Sequence, residues 1–138
     1  MSSPYDAFQS GTLVEYQFLW SHEENKGIVH GLKNRPCAII LRSSQQDSER
    51  IFLIPVTTKQ PNATTSSLEI PELEARRMGL KEPMRRWIIL NEVNVDEIPS
   101  YVLEPNAKIG DIGKPYFQSI LKEFRSVVTR RKLIRRSD

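Results

Sequence analysis

Two apolar runs constrain this chain more than any other feature: RPCAIILR at residues 35–42 and IFLIPVT at residues 51–57, separated by a polar stretch at residues 43–49. Runs this short have strand length rather than helix length, and apolar residues without polar alternation mark a strand buried on both faces. A polar turn between two such strands points to an antiparallel pair. Pro36 falls at the first residues of its strand, where a missing amide is tolerated, whereas Pro55 requires a bulge or an edge position.

The remaining segments read as shorter elements around that pair. Residues 11–20 alternate Val14, Tyr16, Phe18 and Trp20 with Leu13, Glu15, Gln17 and Leu19, the period of two of a strand. Residues 67–70 fit a short strand and residues 71–78 one or two amphipathic helical turns, capped by Gly79. Residues 86–92 (RWIILNE) form a strong strand with Glu92 at its end, and residues 93–103 a weaker strand region broken by Pro99. After Gly113, Pro115 suits a first helical position, and Phe117, Ile120, Leu121, Phe124, Val127 and Val128 draw one apolar stripe. Residues 21–34, with Gly27, Gly31 and both histidines, read as a long loop or a mobile hairpin centred on Ile28 and Val29. The pattern is mainly β: a small barrel or strongly curved sheet of five to seven strands, with a short internal helix and a C-terminal α-helix. At 138 residues this is one domain, with residues 1–10 as a loose leader, 11–128 as the domain and 129–138 as a basic tail.

Composition narrows the setting. With 38% hydrophobic and 27% charged residues the chain can bury a core, so the expectation is an ordered protein. Cys37, the one cysteine, cannot form an internal disulfide and reads as a small buried hydrophobe, which fits a reducing compartment. No apolar run reaches the roughly 18 residues of a membrane span, and the amino terminus lacks the pattern of a signal peptide, so a soluble cytoplasmic protein is expected. The net charge is only +3, but residues 122–138 carry seven basic against two acidic side chains. Arg76, Arg77, Lys81, Arg85 and Arg86, against Glu82 alone, form a second basic cluster. Such patches attract nucleic acid, although each also fits a solvated helix face or tail.

Several chemistries lack their spacing. The chain has no HExxH, no pair of CxxC motifs, no GxxxxGK[ST] and no GxGxxG, and His22 and His30 have no obvious third ligand, so neither a metal nor another cofactor is expected. What stands out instead is GLKNRPC (residues 31–37), followed about twenty residues later by IPVTTKQP (residues 54–61). With the strand at residues 11–20, the polar loop before Arg35, the NE pair closing RWIIL and the segment IGDIGKPYFQSILKEF, the chain resembles the MazF/PemK family of toxins from bacterial toxin–antitoxin modules. The similarity runs over residues 11–128, and the order of the pieces carries it more than any single motif.

That resemblance implies an SH3-like barrel of the PemK/CcdB type, usually a homodimer, that cuts single-stranded RNA without a metal and is neutralised by a cognate antitoxin. It places the site on Arg35, Thr57 and Glu92, with Lys33, Thr58, Lys59, Trp20, Arg85 and Arg86 as RNA contacts. His22, Lys26 and His30 would lie on a gating loop that meets an acidic, partly disordered antitoxin. Two positions depart from the family: Thr12 stands where many members have aspartate, and Leu90 where some have arginine. The basic tail past Thr129 is also longer than the family leads one to expect and could add an RNA contact.

The residue types fit the implied chemistry. When a 2′-hydroxyl attacks its adjacent phosphate, a proton must leave the hydroxyl, charge builds on the phosphorane, and the 5′-oxygen must be protonated. An arginine fork matches phosphate oxygens, and a threonine hydroxyl donates one further bond. Arg35, charged at all ordinary pH, is no general base; Glu92, His22 and His30 are each chemically able, with Glu92 favoured by position. Against these stand plainer readings: Arg35 paired with Glu23 or Glu24, Thr57 as an ordinary strand residue, Trp20 and Trp87 as core. A non-catalytic binding module on the same barrel is the alternative function, and a CcdB-like gyrase poison ranks behind it, because RRKLIRRSD lacks that toxin's apolar ending.

Overall fold

A computed structural model describes residues 3–28, 32–45, 47–127 and 132–136. Its elements run β1 (Thr12–Gln17), α1 (Ser21–Asn25), β2 (Asn34–Gln45), β3 (Ser48–Thr57), β4 (Ser67–Ile70), α2 (Glu72–Arg77), β5 (Arg86–Ile89), β6 (Glu92–Ile98), β7 (Lys108–Asp111), α3 (Lys114–Ser126) and β8 (Lys132–Arg135). The strands form one sheet in the order β4-β5-β3-β2-β1-β7, with β6 also on β3 and β8 on β6. All pairings are antiparallel except β6 with β8. Irregularities at Ile39/Leu41 in β2 and Leu13/Val14 in β1 add the local twist that curls such a sheet. Among the described residues no helix is long and apolar enough to cross a membrane.

The two apolar runs are the central hairpin, β2 against β3, and the sheet is covered on both faces. Leu13, Ala38, Ile40, Ile54 and Val56 pack with Ala75 and Met78 at α2 and with Phe117 and Ile120 of α3. Their strand neighbours Val14, Cys37, Ile39 and Leu53 turn to the other face, against Tyr5, Phe8 and Leu103. Unbroken apolarity in RPCAIILR therefore reports two cores, one on each side. Pro55 sits where the far edge of β3 changes partners: Leu53 still pairs with Asn94 of β6, while Val56 and Thr57 pair with Ile88 and Trp87 of β5. A residue without an amide costs little in that gap.

The structure differs from the sequence reading at several places: β1 stops at Gln17, and the expected turn at residues 43–49 is largely strand, β2 running to Gln45 and β3 starting at Ser48. The leader is not loose: Phe8 is fully buried and Tyr5 nearly so, and Arg42 donates to the carbonyls of Tyr5 (2.6 Å) and Phe8 (2.9 Å) while pairing with Glu49 (2.7 Å). Thr12 secures the same turn, its Oγ1 accepting from the Gln9 N–H at 3.0 Å. The long loop begins as the short helix α1, and the basic tail contains β8, whose Ile134 is buried. Finally, β5 ends at Ile89, so Glu92 opens β6 instead of closing RWIILNE. With β8 the described strands number eight, one more than the upper expectation. Val128, the last residue assigned to the helix stripe, lies outside the described residues.

Candidate functional site

The topology brings the end of β1, the start of β2, the end of β3 and the start of β6 to one end of the sheet. There they enclose a cleft of about 620 Å³, a size that accepts a nucleotide-scale ligand. Its walls include Arg35, Thr57 and Glu92, together with Trp20, His22, Lys59, Asn91 and Lys132.

Two polar side chains of β6 hold the segment that carries Trp20. Asn94, fully buried, accepts from the Leu19 N–H and donates to the Leu19 carbonyl, both at 2.8 Å, so its amide takes the place of a neighbouring strand. Two residues earlier and on the same face, Glu92 accepts from the Ser21 N–H at 2.9 Å and from Ser21 Oγ at 2.7 Å. Glu23 reaches back to accept from the Trp20 N–H at 3.0 Å, closing the first turn of α1. Trp20 is thus fixed from both sides although β1, whose alternation the sequence extends to Trp20, ends at Gln17.

Arg35 lies over the Trp20 ring, its guanidinium carbon 5.2 Å from the centroid. Trp20 also meets Phe18 edge-on (5.4 Å) and stacks on His22 (6.3 Å, 26° between planes). The Nε of Arg35 is buried without a hydrogen-bond partner. Among the described residues Arg35 forms no ion pair, so pairing with Glu23 or Glu24 is not observed. Asn91 lines the same cleft, and its side-chain oxygen is buried with no partner among the described residues. Two more buried polar atoms lack a hydrogen-bond partner among the described residues, Arg50 Nε and the Tyr116 hydroxyl, and neither residue lines the cleft.

Thr57, half-buried at the end of β3, accepts from the Lys59 N–H at 3.1 Å, which leaves its hydroxyl hydrogen available. The wall beyond it, Gln60 to Thr65, is stiffened by Asn62, whose Oδ1 accepts from the Thr64 N–H, Thr64 Oγ1 and Thr65 Oγ1 at 3.0, 2.7 and 2.9 Å. Among the described charged lining residues, Arg35, Lys59 and Lys132 are cationic and Glu92 is the single carboxylate. The cleft is electropositive and suited to a polyanion.

Other expected contacts lie elsewhere. Lys26, Lys33 and Thr58 are exposed but do not line the cleft, and His30 is outside the described residues. Arg85 pairs with Glu69 at 3.1 Å and covers the Trp87 ring at 5.0 Å. Arg86 is buried, donating from Nε to the Pro83 carbonyl (2.8 Å) and from Nη2 to the Lys81 carbonyl (2.9 Å), and burial lowers its pKa below that of an ordinary arginine. Its charge serves to hold the turn before β5. Sequence reasoning missed Ile89, Asn91, Lys132 and the Gln60–Thr65 wall as lining residues. Asn91 was legible only as the neighbour of Glu92, and Lys132 only as one basic residue among many.

Among the described residues no three His, Cys, Asp or Glu side chains gather as metal ligands. No protein-family model matches the chain, and no curated protein matches it.

Proposed function

We propose that this protein is an endoribonuclease of the MazF/PemK kind, an SH3-like barrel that cuts single-stranded RNA without a metal and acts as the toxin of a toxin–antitoxin module. The observation that carries the reading is Arg35: a guanidinium with no ion-pair partner among the described residues, held over Trp20 in a cleft that Thr57 and Glu92 share. A preset donor without a partner is what a phosphate gaining charge requires.

In this reading the 2′-oxygen forms a bond to phosphorus as the P–O5′ bond breaks. Glu92 takes the 2′-hydroxyl proton through lone pairs that Ser21 leaves free, and Arg35 and Thr57 hold the non-bridging oxygens. His22, exposed at the cleft beside Trp20, returns a proton to the leaving 5′-oxygen. The products are a 2′,3′-cyclic phosphate and a 5′-hydroxyl. The protein acts in the cytoplasm as a homodimer, and an acidic antitoxin segment neutralises it by covering the electropositive cleft near α1.

A long single-stranded RNA incubated with the protein in excess EDTA tests this, with the DNA counterpart and Arg35→Ala and Thr57→Ala as controls. RNA-only cleavage with cyclic phosphate ends, reduced about 10²-fold or more in each variant, is expected. Intact RNA overturns it. One observation favours a second reading, a binding module without chemistry: both oxygens of Glu92 already accept from Ser21, the geometry of a structural cap. That reading gives salt-dependent RNA binding with no scission.

A further inference from the structure

The basic segment after α3 leaves one side chain in the cleft and folds the rest of its described length into the domain. Strand β8 pairs parallel with β6 so that Lys132 stands beside Glu92 and Ile134 beside Asn94. Both ends are pinned: the Lys132 N–H donates to the Asn91 carbonyl at 2.8 Å, and the Arg136 N–H to the Val95 carbonyl at 2.7 Å. The Arg136 guanidinium donates to the Gln17 carbonyl and to Asn94 Oδ1, and lies 5.6 Å from the centre of the Tyr16 ring. Ile134 is buried between these anchors, and α1 rests against the strand.

Lys132 shares its strand face with Glu92, and its side chain lines the cleft. Among the described residues it makes no ion pair. A lysine on a pinned backbone, next to a carboxylate that does not take it, keeps its charge for something else. Lys59 supplies a second such cation from the loop after β3, with Arg35 as the third.

We propose that β8 is part of the substrate site: Lys132 binds a backbone phosphate adjacent to the one Arg35 holds, so the cleft grips at least two successive phosphates of a single strand. This rests on the polynucleotide reading above and extends it to a second phosphate. Arg136, through Asn94 and Gln17, positions the strand and does not meet the ligand.

The test measures binding of a fluorescently labelled 2′-O-methyl oligoribonucleotide, which lacks the attacking hydroxyl and stays uncut, by anisotropy over a range of salt. Lys132→Gln is expected to weaken binding about five- to tenfold at low salt and to reduce the slope of log affinity against log salt by about 0.7, the share of one single-strand phosphate contact. Lys132→Arg restores both. The thermal midpoint of Lys132→Gln matches wild type, because the side chain is exposed. Wild-type affinity and slope in Lys132→Gln overturn the role of β8 while leaving the polynucleotide reading intact. If the wild-type protein does not bind the oligonucleotide, the polynucleotide reading itself fails.

Discussion

Asn94→Ala removes the side chain that stands in for a strand beside Leu19. Leu19 is buried, and its N–H and carbonyl would each lose a 2.8 Å partner. A buried backbone group without a partner costs about 1–3 kcal/mol. Two such groups, with the partial loss at Arg136, which keeps the Gln17 carbonyl, give about 4 kcal/mol. For a domain of this size that lowers the melting temperature by roughly 15 °C. Urea unfolding followed by circular dichroism gives the free energy. In a Trp87→Phe background, where Trp20 is the remaining tryptophan, its fluorescence reports whether the ring leaves Arg35 and His22. A loss under about 1 kcal/mol with unchanged Trp20 emission would refute the claim that β6 side chains hold this segment.

Further outcomes follow from other contacts. Glu92→Gln keeps an acceptor for the Ser21 N–H, so it should leave the melting temperature within a few degrees while lowering RNA cleavage about 10²- to 10⁴-fold; unchanged cleavage makes Glu92 a cap and not a base. Gly110→Ala would drive a Cβ into the Met78 carbonyl where the end of α2 crosses β7, costing about 1–3 kcal/mol in denaturant titration. Burial pushes the Cys37 thiol well above its usual pKa, so a thiol reagent at pH 8 should label it only on unfolding; fast native labelling contradicts the packing of β2. The Arg42 contact lowers the Glu49 pKa, so this pair stabilises the fold above the ordinary carboxylate range and the contribution fades as pH falls through the lowered value. Arg42→Ala should therefore flatten the acid limb of stability against pH, and an unchanged limb rules that contribution out.

Legibility followed how local the cause of each structure was. The β2–β3 hairpin and α3 could be read because their own residues dictate them: unbroken apolarity for a strand with a core on each face, and a three-four stripe for a helix on one. KLIR could not, because its two apolar residues sit in a basic run and the reason it is a strand lies forty residues upstream in β6. SHEEN became a helix because Glu92 and Asn94 fix its approach, contacts more than seventy residues apart in sequence. Charge counting failed at Arg86 for a related reason. It registers a cation and does not see that the guanidinium is occupied by the carbonyls of Lys81 and Pro83.

The convergence of Arg35, Thr57 and Glu92 follows from topology before any chemistry is invoked. In an antiparallel run of β1, β2 and β3, the end of the first, the start of the second and the end of the third must meet at one end of the sheet, which brings Trp20, Arg35 and Thr57 together. The fourth wall has a separate origin. At Pro55 the edge of β3 passes from β6 to β5, and the connection between those two strands, Leu90 and Asn91, has to cross that gap. The crossing leaves Asn91 with an unpartnered oxygen and turns Glu92 toward Ser21. Pro55, which the sequence places at a bulge or an edge, therefore sits at the change of partners from which this wall arises.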